Sequence, residues 1–290
     1  MQNNEKSING KHSSRRKKRV NMNDLIYLYA LVPKSEIEKV TLPSITGFDG
    51  EHELFTSEIN DQIVAIITTL DGDEYTEASI EDKVDNDMEW LQEKAFHHHE
   101  TISTLNQQYT LIPLKFCTIY KSEDNLRESI QEVNDKVVET FEYLQGKEEW
   151  TIKIYCDDDK LRQAMSTNNE QVEAKRKEIE KLPKGRRFFE EKKIDRFIDT
   201  ELENEKDRLS ESLHNQVKTH AIDYKVKKSW SKDVTGLKED MILNSVYLLA
   251  EEEVAQFKKD IEQWENTNNG EALRIDANGP WPAYHFSVFY

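Results

Sequence analysis

Gly279-Pro280-Trp281-Pro282-Ala283-Tyr284-His285-Phe286-Ser287-Val288-Phe289-Tyr290 is the stretch from which the fold is read outward. Pro280 and Pro282 lack amide donors and fix their own φ. Each also pushes the residue before it into extended geometry, so Trp281 lies between two stiffened peptide units and no helix can form there. Beyond the prolines, Tyr284, Phe286, Val288 and Tyr290 alternate with His285, Ser287 and Phe289. That period of two predicts a turn followed by a strand buried on both faces, which together with residues 273–277 makes the last strand of a sheet.

Upstream of this segment, Val254, Phe257, Ile261 and Trp264 recur at spacings of three and four and predict a helix over 251–264. Strands are predicted at 224–230 and 241–250, separated by a polar loop with Asp233, Thr235 and Gly236, and an earlier one at 149–155 alternates Trp150, Ile152 and Ile154. Between them lies a helical excursion at about 160–222. One helix covers 160–181, Pro183-Lys184-Gly185 breaks it, and a longer helix from 187 to about 221 carries Ile194, Phe197, Ile198, Leu202, Leu209, Leu213 and Val217 at near-heptad spacing. So narrow a stripe needs a second helix to cover it, which predicts a projecting helical, coiled-coil hairpin. The order strand, helical excursion, strand, strand, helix, strand predicts a ferredoxin-like domain over 148–290 with that hairpin inserted.

Residues 23–147 read as a separate N-terminal α+β domain, an α/β sandwich. A strand at 25–32 ends at Pro33, and strands at 53–59 and 62–69 form a hairpin about Asn60-Asp61. Ile80, Val84, Met88, Leu91, Ala95, Ile102 and Leu105 lay one stripe along a helix at 79–107. A strand at 111–120 follows. Ser122, with Glu123 and Asp124, then opens a helix whose core face is Leu126, Ile130, Val133, Val137, Phe141 and Leu144, and Gly146 stops it. The class is therefore α+β. A length of 290 residues exceeds what one core usually serves, so two domains with separate cores are expected.

Hydrophobic residues make up 36% and charged residues 33% of the chain, so its elements must be amphipathic with long solvated faces. No apolar run approaches the roughly 20 residues of a membrane span, and the first residues lack a signal-peptide core, which predicts a cytoplasmic protein without a membrane span. Cys117 and Cys156 are too few for a disulfide scaffold or a four-ligand zinc site and read as reduced apolar side chains within strands. The net charge is −17, yet residues 1–20 hold seven Lys or Arg and one Glu. Residues 1–22 read as a disordered basic arm, and the acidic remainder repels nucleic acid. Such acidity suits a protein that must stay soluble while handling an aggregation-prone partner.

Five spaced segments carry a family likeness: Leu25-Ile26-Tyr27-Leu28-Tyr29-Ala30-Leu31-Val32-Pro33, Phe96-His97-His98-His99-Glu100, Ile112-Pro113-Leu114-Lys115-Phe116-Cys117-Thr118-Ile119-Tyr120, Gly146-Lys147-Glu148-Glu149-Trp150 and the tail. In order and spacing they resemble the gas vesicle protein F/L family. Lys115-Phe116-Cys117-Thr118 and the triple histidine are more similar to the L type than to the F type. Two places depart from the family pattern: Leu182-Pro183-Lys184-Gly185-Arg186-Arg187 stands at the turn before the long helix, and Ala283 occupies a position often held by a third proline. The resemblance implies a two-domain α+β accessory or minor structural protein of gas vesicle assembly, located at the gas vesicle, with no cofactor. Its implied partners are the hydrophobic shell protein and other accessory proteins, bound without turnover to limit aggregation and aid nucleation.

Chemistry-bearing clusters are few. His97, His98 and His99 are consecutive, so on a helix they point about 100° apart and cannot share a metal as residues four apart do. A partly exposed helix end with one packed imidazole is the favoured reading, and a metal-dependent enzyme using His97–His99 the alternative. Asp71-Gly72-Asp73-Glu74 reads as a turn and Asp82-Lys83-Val84-Asp85-Asn86-Asp87 as a solvated helix face, since neither matches a calcium loop. Asp157-Asp158-Asp159 sits where negative charge favours a helix N-terminus. The chain contains no phosphate loop, dinucleotide fingerprint or nucleophile elbow, so an enzyme is not expected. The tail aromatics are expected to finish a core, and Trp281, Tyr284, Phe286, Phe289 and Tyr290 are also the candidate partner-binding residues. A scaffold binding proteins through the helical hairpin is the remaining alternative.

Overall fold

The structure, a computed structural model, describes residues 23–268 and 271–287. The predicted basic arm at 1–22 lies outside the described residues, as do Val288, Phe289 and Tyr290 of the predicted closing strand. The first half contains β1 (Leu25–Pro33), α1 (Lys34–Ile37), β2 (Phe55–Glu58), β3 (Ile63–Leu70), α2 (Glu77–Asn86), α3 (Met88–Asn106), β4 (Ile112–Pro113), β5 (Ile119–Tyr120), α4 (Glu123–Glu132) and α5 (Asn134–Leu144). The second half contains β6 (Lys147–Cys156), α6 (Asp158–Asn168), α7 (Glu170–Glu180), α8 (Lys184–Glu191), α9 (Ile194–Val217), β7 (Ala221–Val226), α10 (Lys232–Thr235), β8 (Asp240–Ala250), α11 (Val254–Asn268) and β9 (Leu273–Trp281). The protein is α+β, built on two antiparallel sheets. The first has the order β2-β3-β1-β4, with β5 also pairing β1, and the second has the order β7-β8-β6-β9.

β1 is the axis of the first sheet because it is buried along nearly its whole length. A bulge in its pairing with β3 falls between Leu28 and Ala30. The extra residue turns Tyr27, Tyr29 and Val32 to the face under α3 and Ile26, Leu28 and Leu31 to the face under α4 and α5. The second sheet is likewise two-sided at β8. Tyr247 and Leu249 join the cluster under α9 and α11, whereas Val246 and Leu248 pack with Ile26, Leu28, Phe141, Ala283 and Phe286 of the cluster on the first sheet. The two sheets therefore share one of the apolar clusters, where separate cores are predicted from length.

Several predicted elements are divided. The helix predicted at 79–107 is two helices, because Asp87 leaves helical geometry and its carboxylate accepts the Trp90 N–H, starting a new helix. The same device ends α6, where the Asn169 side chain accepts from Gln171 N and Val172 N. Val133 (φ −114°) separates α4 from α5. Pro183 does not simply break the excursion; it precedes the short helix α8. The excursion is not a free two-helix projection either. Leu161 and Met165 of α6 and Leu209, Leu213 and Val217 of α9 lie in the cluster that covers the second sheet. The strand predicted at 111–120 is two short pieces around a turn in which Cys117 has φ 61°, so this cysteine is in a turn and not in a strand.

The tail differs most from its sequence reading. β9 runs on through Gly279 and Pro280, where its register with β6 shifts and neither residue is paired, to Trp281, which pairs with Glu149. The aromatic residues after it turn: Tyr284 N donates to Pro282 O at 2.6 Å, and Phe286 N and Ser287 N donate to Ala283 O at 3.3 and 3.1 Å. β9 is an edge strand, so a proline without an amide donor is tolerated there, and among the described residues no ladder follows Trp281 to hold alternating residues extended.

Candidate functional site

The tail and α3 meet in an aromatic seam between the two sheets. Gly279 makes the close approach possible: a Cβ there would stand 2.6 Å from Trp150 Cδ2 and 2.9 Å from Glu149 O. Gly279→Ala is therefore expected to lower stability by about 1–3 kcal/mol, read as a lower midpoint in thermal unfolding. Trp281 Nε1 donates to Thr151 Oγ1 at 3.3 Å, fixing the indole beside β6. From there the chain crosses to α3, where the His99 ring lies 5.5 Å from Trp281 and 6.4 Å from Tyr284.

His285 anchors the turn. Its backbone N–H donates to Glu149 Oε2 at 3.0 Å and its Nδ1–H to Oε1 at 2.6 Å, while Lys227 Nζ donates to Nε2 at 2.9 Å. An ammonium can only donate, so Nε2 accepts and the ring proton resides on Nδ1. The Glu149 side chain is 1% exposed, and the two His285 donors satisfy its two oxygens. Lys225 Nζ also reaches His285 O.

The three histidines lie within α3, not at its end, and enter three environments. His98 Nε2 donates to Leu114 O at 3.2 Å, which leaves Nδ1 to accept the Tyr27 hydroxyl at 2.8 Å. Tyr27 OH in turn accepts the N–H of Cys117 at 3.2 Å. Burial pushes the His98 imidazole down to about 4, against the Leu114 carbonyl, which favours the protonated form. Burial also raises the Tyr27 and Tyr29 hydroxyls far above their ordinary values. His97 Nε2 lies 3.3 Å from Tyr29 OH, and burial with nearby Lys94 lowers its pKa. With both His98 nitrogens engaged, the cluster offers no shared metal-facing surface. Among the described residues no group of three or more His, Cys, Asp or Glu side chains is placed to hold a metal ion. The Asp157 carboxylate accepts from Lys160 N at 3.2 Å, the capping role its sequence indicates.

Of the candidate partner-binding residues, Trp281 and Tyr284 are half-buried over His99, and Phe286 is buried in the shared cluster. Glu149 and Tyr27 stand within the segments that carry the family likeness, but the sequence assigns neither a place in a site. The one signal for Glu149 is a carboxylate flanking the apolar alternation Trp150, Ile152, Ile154, and for Tyr27 the Tyr-x-Tyr within an otherwise aliphatic strand. On the outer face of α3, Met88 (64% exposed) and Phe96 (66% exposed) lie among exposed Glu89, Glu93 and Glu100.

A family model described as gas vesicle synthesis protein GvpL/GvpF matches residues 25–288. The chain belongs to the GvpL/GvpF family. It is 23% identical over 225 residues to gas vesicle protein L of a Streptomyces species, covering 78% of this chain and 80% of that one. It is 26% identical over 267 residues to gas vesicle protein F of a Nostoc species, covering 92% and 99%. In fold it is similar to the crystal structure of GvpF from an Anabaena species, with a TM-score of 0.67 at 20% identity over 92% of this chain and 99% of that one. The crystal structure of GvpF from Microcystis aeruginosa gives a TM-score of 0.60 at 20% identity, covering 91% and 99%. GvpL/GvpF membership places this chain in gas vesicle formation. No helix among its described residues is long and apolar enough to cross a membrane.

Proposed function

We propose that this GvpL/GvpF protein acts in gas vesicle assembly by holding apolar segments of the shell protein, and contacts to other accessory proteins, on an acidic surface that keeps the complex soluble. Membership of the family across residues 25–288 carries the reading. The outer face of α3 supports it: two large apolar side chains framed by carboxylates give a greasy partner contact area while the charge opposes further aggregation. Half-buried Trp281 and Tyr284 extend the contact across the seam. The work is chaperone-like and non-enzymatic and takes place in the cytoplasm at the growing gas vesicle. In the same reading, residues 148–290 form a ferredoxin-like domain, its β7-β8-β6-β9 order being that of a βαββαβ unit with an enlarged first crossover, and residues 23–147 form the N-terminal domain.

The test is co-purification with the shell protein from cells producing both. The wild-type chain is expected to retain the shell protein, and the double variant Met88→Lys, Phe96→Lys to lose about tenfold in affinity. Undiminished capture by the double variant removes α3 from the account.

The helical excursion supplies a second reading, favoured by Phe188 and Phe189, which are 56% and 66% exposed on α8. Removing residues 172–218 would strip the cover from the second sheet, so the discriminating change is Phe188→Ser with Phe189→Ser. If the excursion is the docking element, that variant loses the partner with its thermal midpoint unchanged.

A further inference from the structure

β7 is an edge strand of the second sheet. Lys227 N donates to Asn244 O of β8 at 2.7 Å. By the alternation of an antiparallel ladder, Lys225 also turns its backbone groups toward β8, and Tyr224 and Val226 turn theirs away from the sheet. The outward Tyr224 N–H is met by the Asp223 carboxylate at 2.7 Å. Side chains alternate between the two faces. Asp223 accepts from Tyr143 OH at 3.1 Å, and the Lys225 ammonium lies 5.2 Å from the Phe286 ring centre, so both point toward α5 and the tail. Tyr224 lies on the other face with Val226, its ring 4.9 Å from His214 of α9; Val226 is 58% exposed, and Ile222, at the bulge between Ala221 and Asp223, is 50% exposed. Six of the eleven exposed large apolar side chains among the described residues fall within 222–237.

We propose that β7 is a self-association surface on which the β7 strand of a second copy of this chain pairs antiparallel about a two-fold axis at Tyr224, joining two four-stranded sheets into one. In that register Tyr224 stands opposite its own counterpart, Ile222 opposite Val226 and Asp223 opposite Lys225. The Tyr224 N–H exchanges its Asp223 acceptor for a carbonyl of the second strand, which with the outward groups of Val226 completes the ladder and frees Asp223 for Lys225, so that two opposite-charge pairs form on one face above apolar pairs on the other. Lysines on an edge ordinarily discourage pairing, but here Lys225 faces a carboxylate. The ends of the strand are complementary as well. At its start His220 sits between Glu253 at 2.9 Å and Asp260 at 3.1 Å, while Lys227 and Lys228 follow its end. The two-fold axis sets the basic end of one strand beside the acidic end of the other, a self-complementarity that commits the surface to a second copy.

Sedimentation velocity of the full-length chain from low micromolar to ~100 µM tests this, with thermal unfolding as the independent check on folding. The wild type is expected to show a concentration-dependent monomer–dimer equilibrium. Asp223→Lys and Lys225→Asp are each expected to weaken it by about tenfold, and the two together to restore it toward wild type. Val226→Pro removes an outward amide that β8 does not use, so it is expected to abolish the dimer and leave the unfolding midpoint nearly unchanged. A chain that stays monomeric throughout, or a dimer untouched by Val226→Pro and by the single charge reversals, overturns the proposal.

Discussion

Glu149→Ala is expected to release the tail from β6 and to cost about 3 kcal/mol, a large share of the stability of a typical domain. The reason is asymmetry. With Glu149 present, two donors of His285 meet the two oxygens of a carboxylate that is 1% exposed. Without it, a backbone N–H and a ring N–H are left facing a cavity, and Phe286 loses the anchor that seats it in the cluster shared by both sheets. Glu149→Gln keeps one acceptor and is expected to cost less, about 1–2 kcal/mol. Urea unfolding, paired with limited proteolysis after Trp281, reads both effects. Equal unfolding midpoints for wild type and Glu149→Ala would show that the tail is not held this way.

The second large effect is one of pH. Burial depresses His98 from its ordinary 6.5 to about 4, partly offset by the Leu114 carbonyl. Between these values the unfolded chain binds a proton that the native protein does not, so this contribution to stability is complete above about pH 6.5 and is lost as pH falls toward 4. Integrated over the interval, one such group contributes about 3 kcal/mol. His97 and His214, also depressed chiefly by burial, act in the same direction. His220 acts oppositely: desolvation lowers it, but the hydrogen bonds it donates to Asp260 and Glu253 outweigh that and raise it, so its contribution is present at low pH and fades as pH rises through the raised value. Comparing wild type with His98→Gln at pH 7 and pH 4.5 isolates the buried ring. The wild type is expected to lose about 2 kcal/mol more than the variant between the two conditions, since the rest of the loss falls below pH 4.5. Parallel losses would place the low-pH sensitivity elsewhere.

Periodicity was informative wherever a segment has one dominant face. The alternation of Trp150, Ile152 and Ile154 and the spacing of Val254, Phe257, Ile261 and Trp264 correspond to β6 and α11 within a few residues. It failed at junctions, where a single side chain outcompetes the pattern. The Asp87 carboxylate and the Asn169 amide each cap a new helix inside a segment that reads as one helix, and periodicity carries no record of a backbone amide captured by its neighbour. The tail was misread for a related reason. Tyr284 and Phe286 alternate with His285 and Ser287 as a strand would, but extended geometry needs a ladder partner, and among the described residues the ladder ends at Trp281. The seam itself was half legible: Trp281 and Tyr284 stand out as aromatics, whereas Glu149 and His285 are 136 residues apart and meet only once both sheets are formed.

The central proposal is that this acidic GvpL/GvpF protein grips an apolar vesicle component without covalent chemistry. Its most direct test is a sedimentation assay of the purified shell protein with and without a stoichiometric amount of the full-length chain. The account predicts that shell protein which pellets alone stays in the supernatant with the chain bound to it. Shell protein that pellets to the same extent in both cases, with the chain left behind, would contradict it.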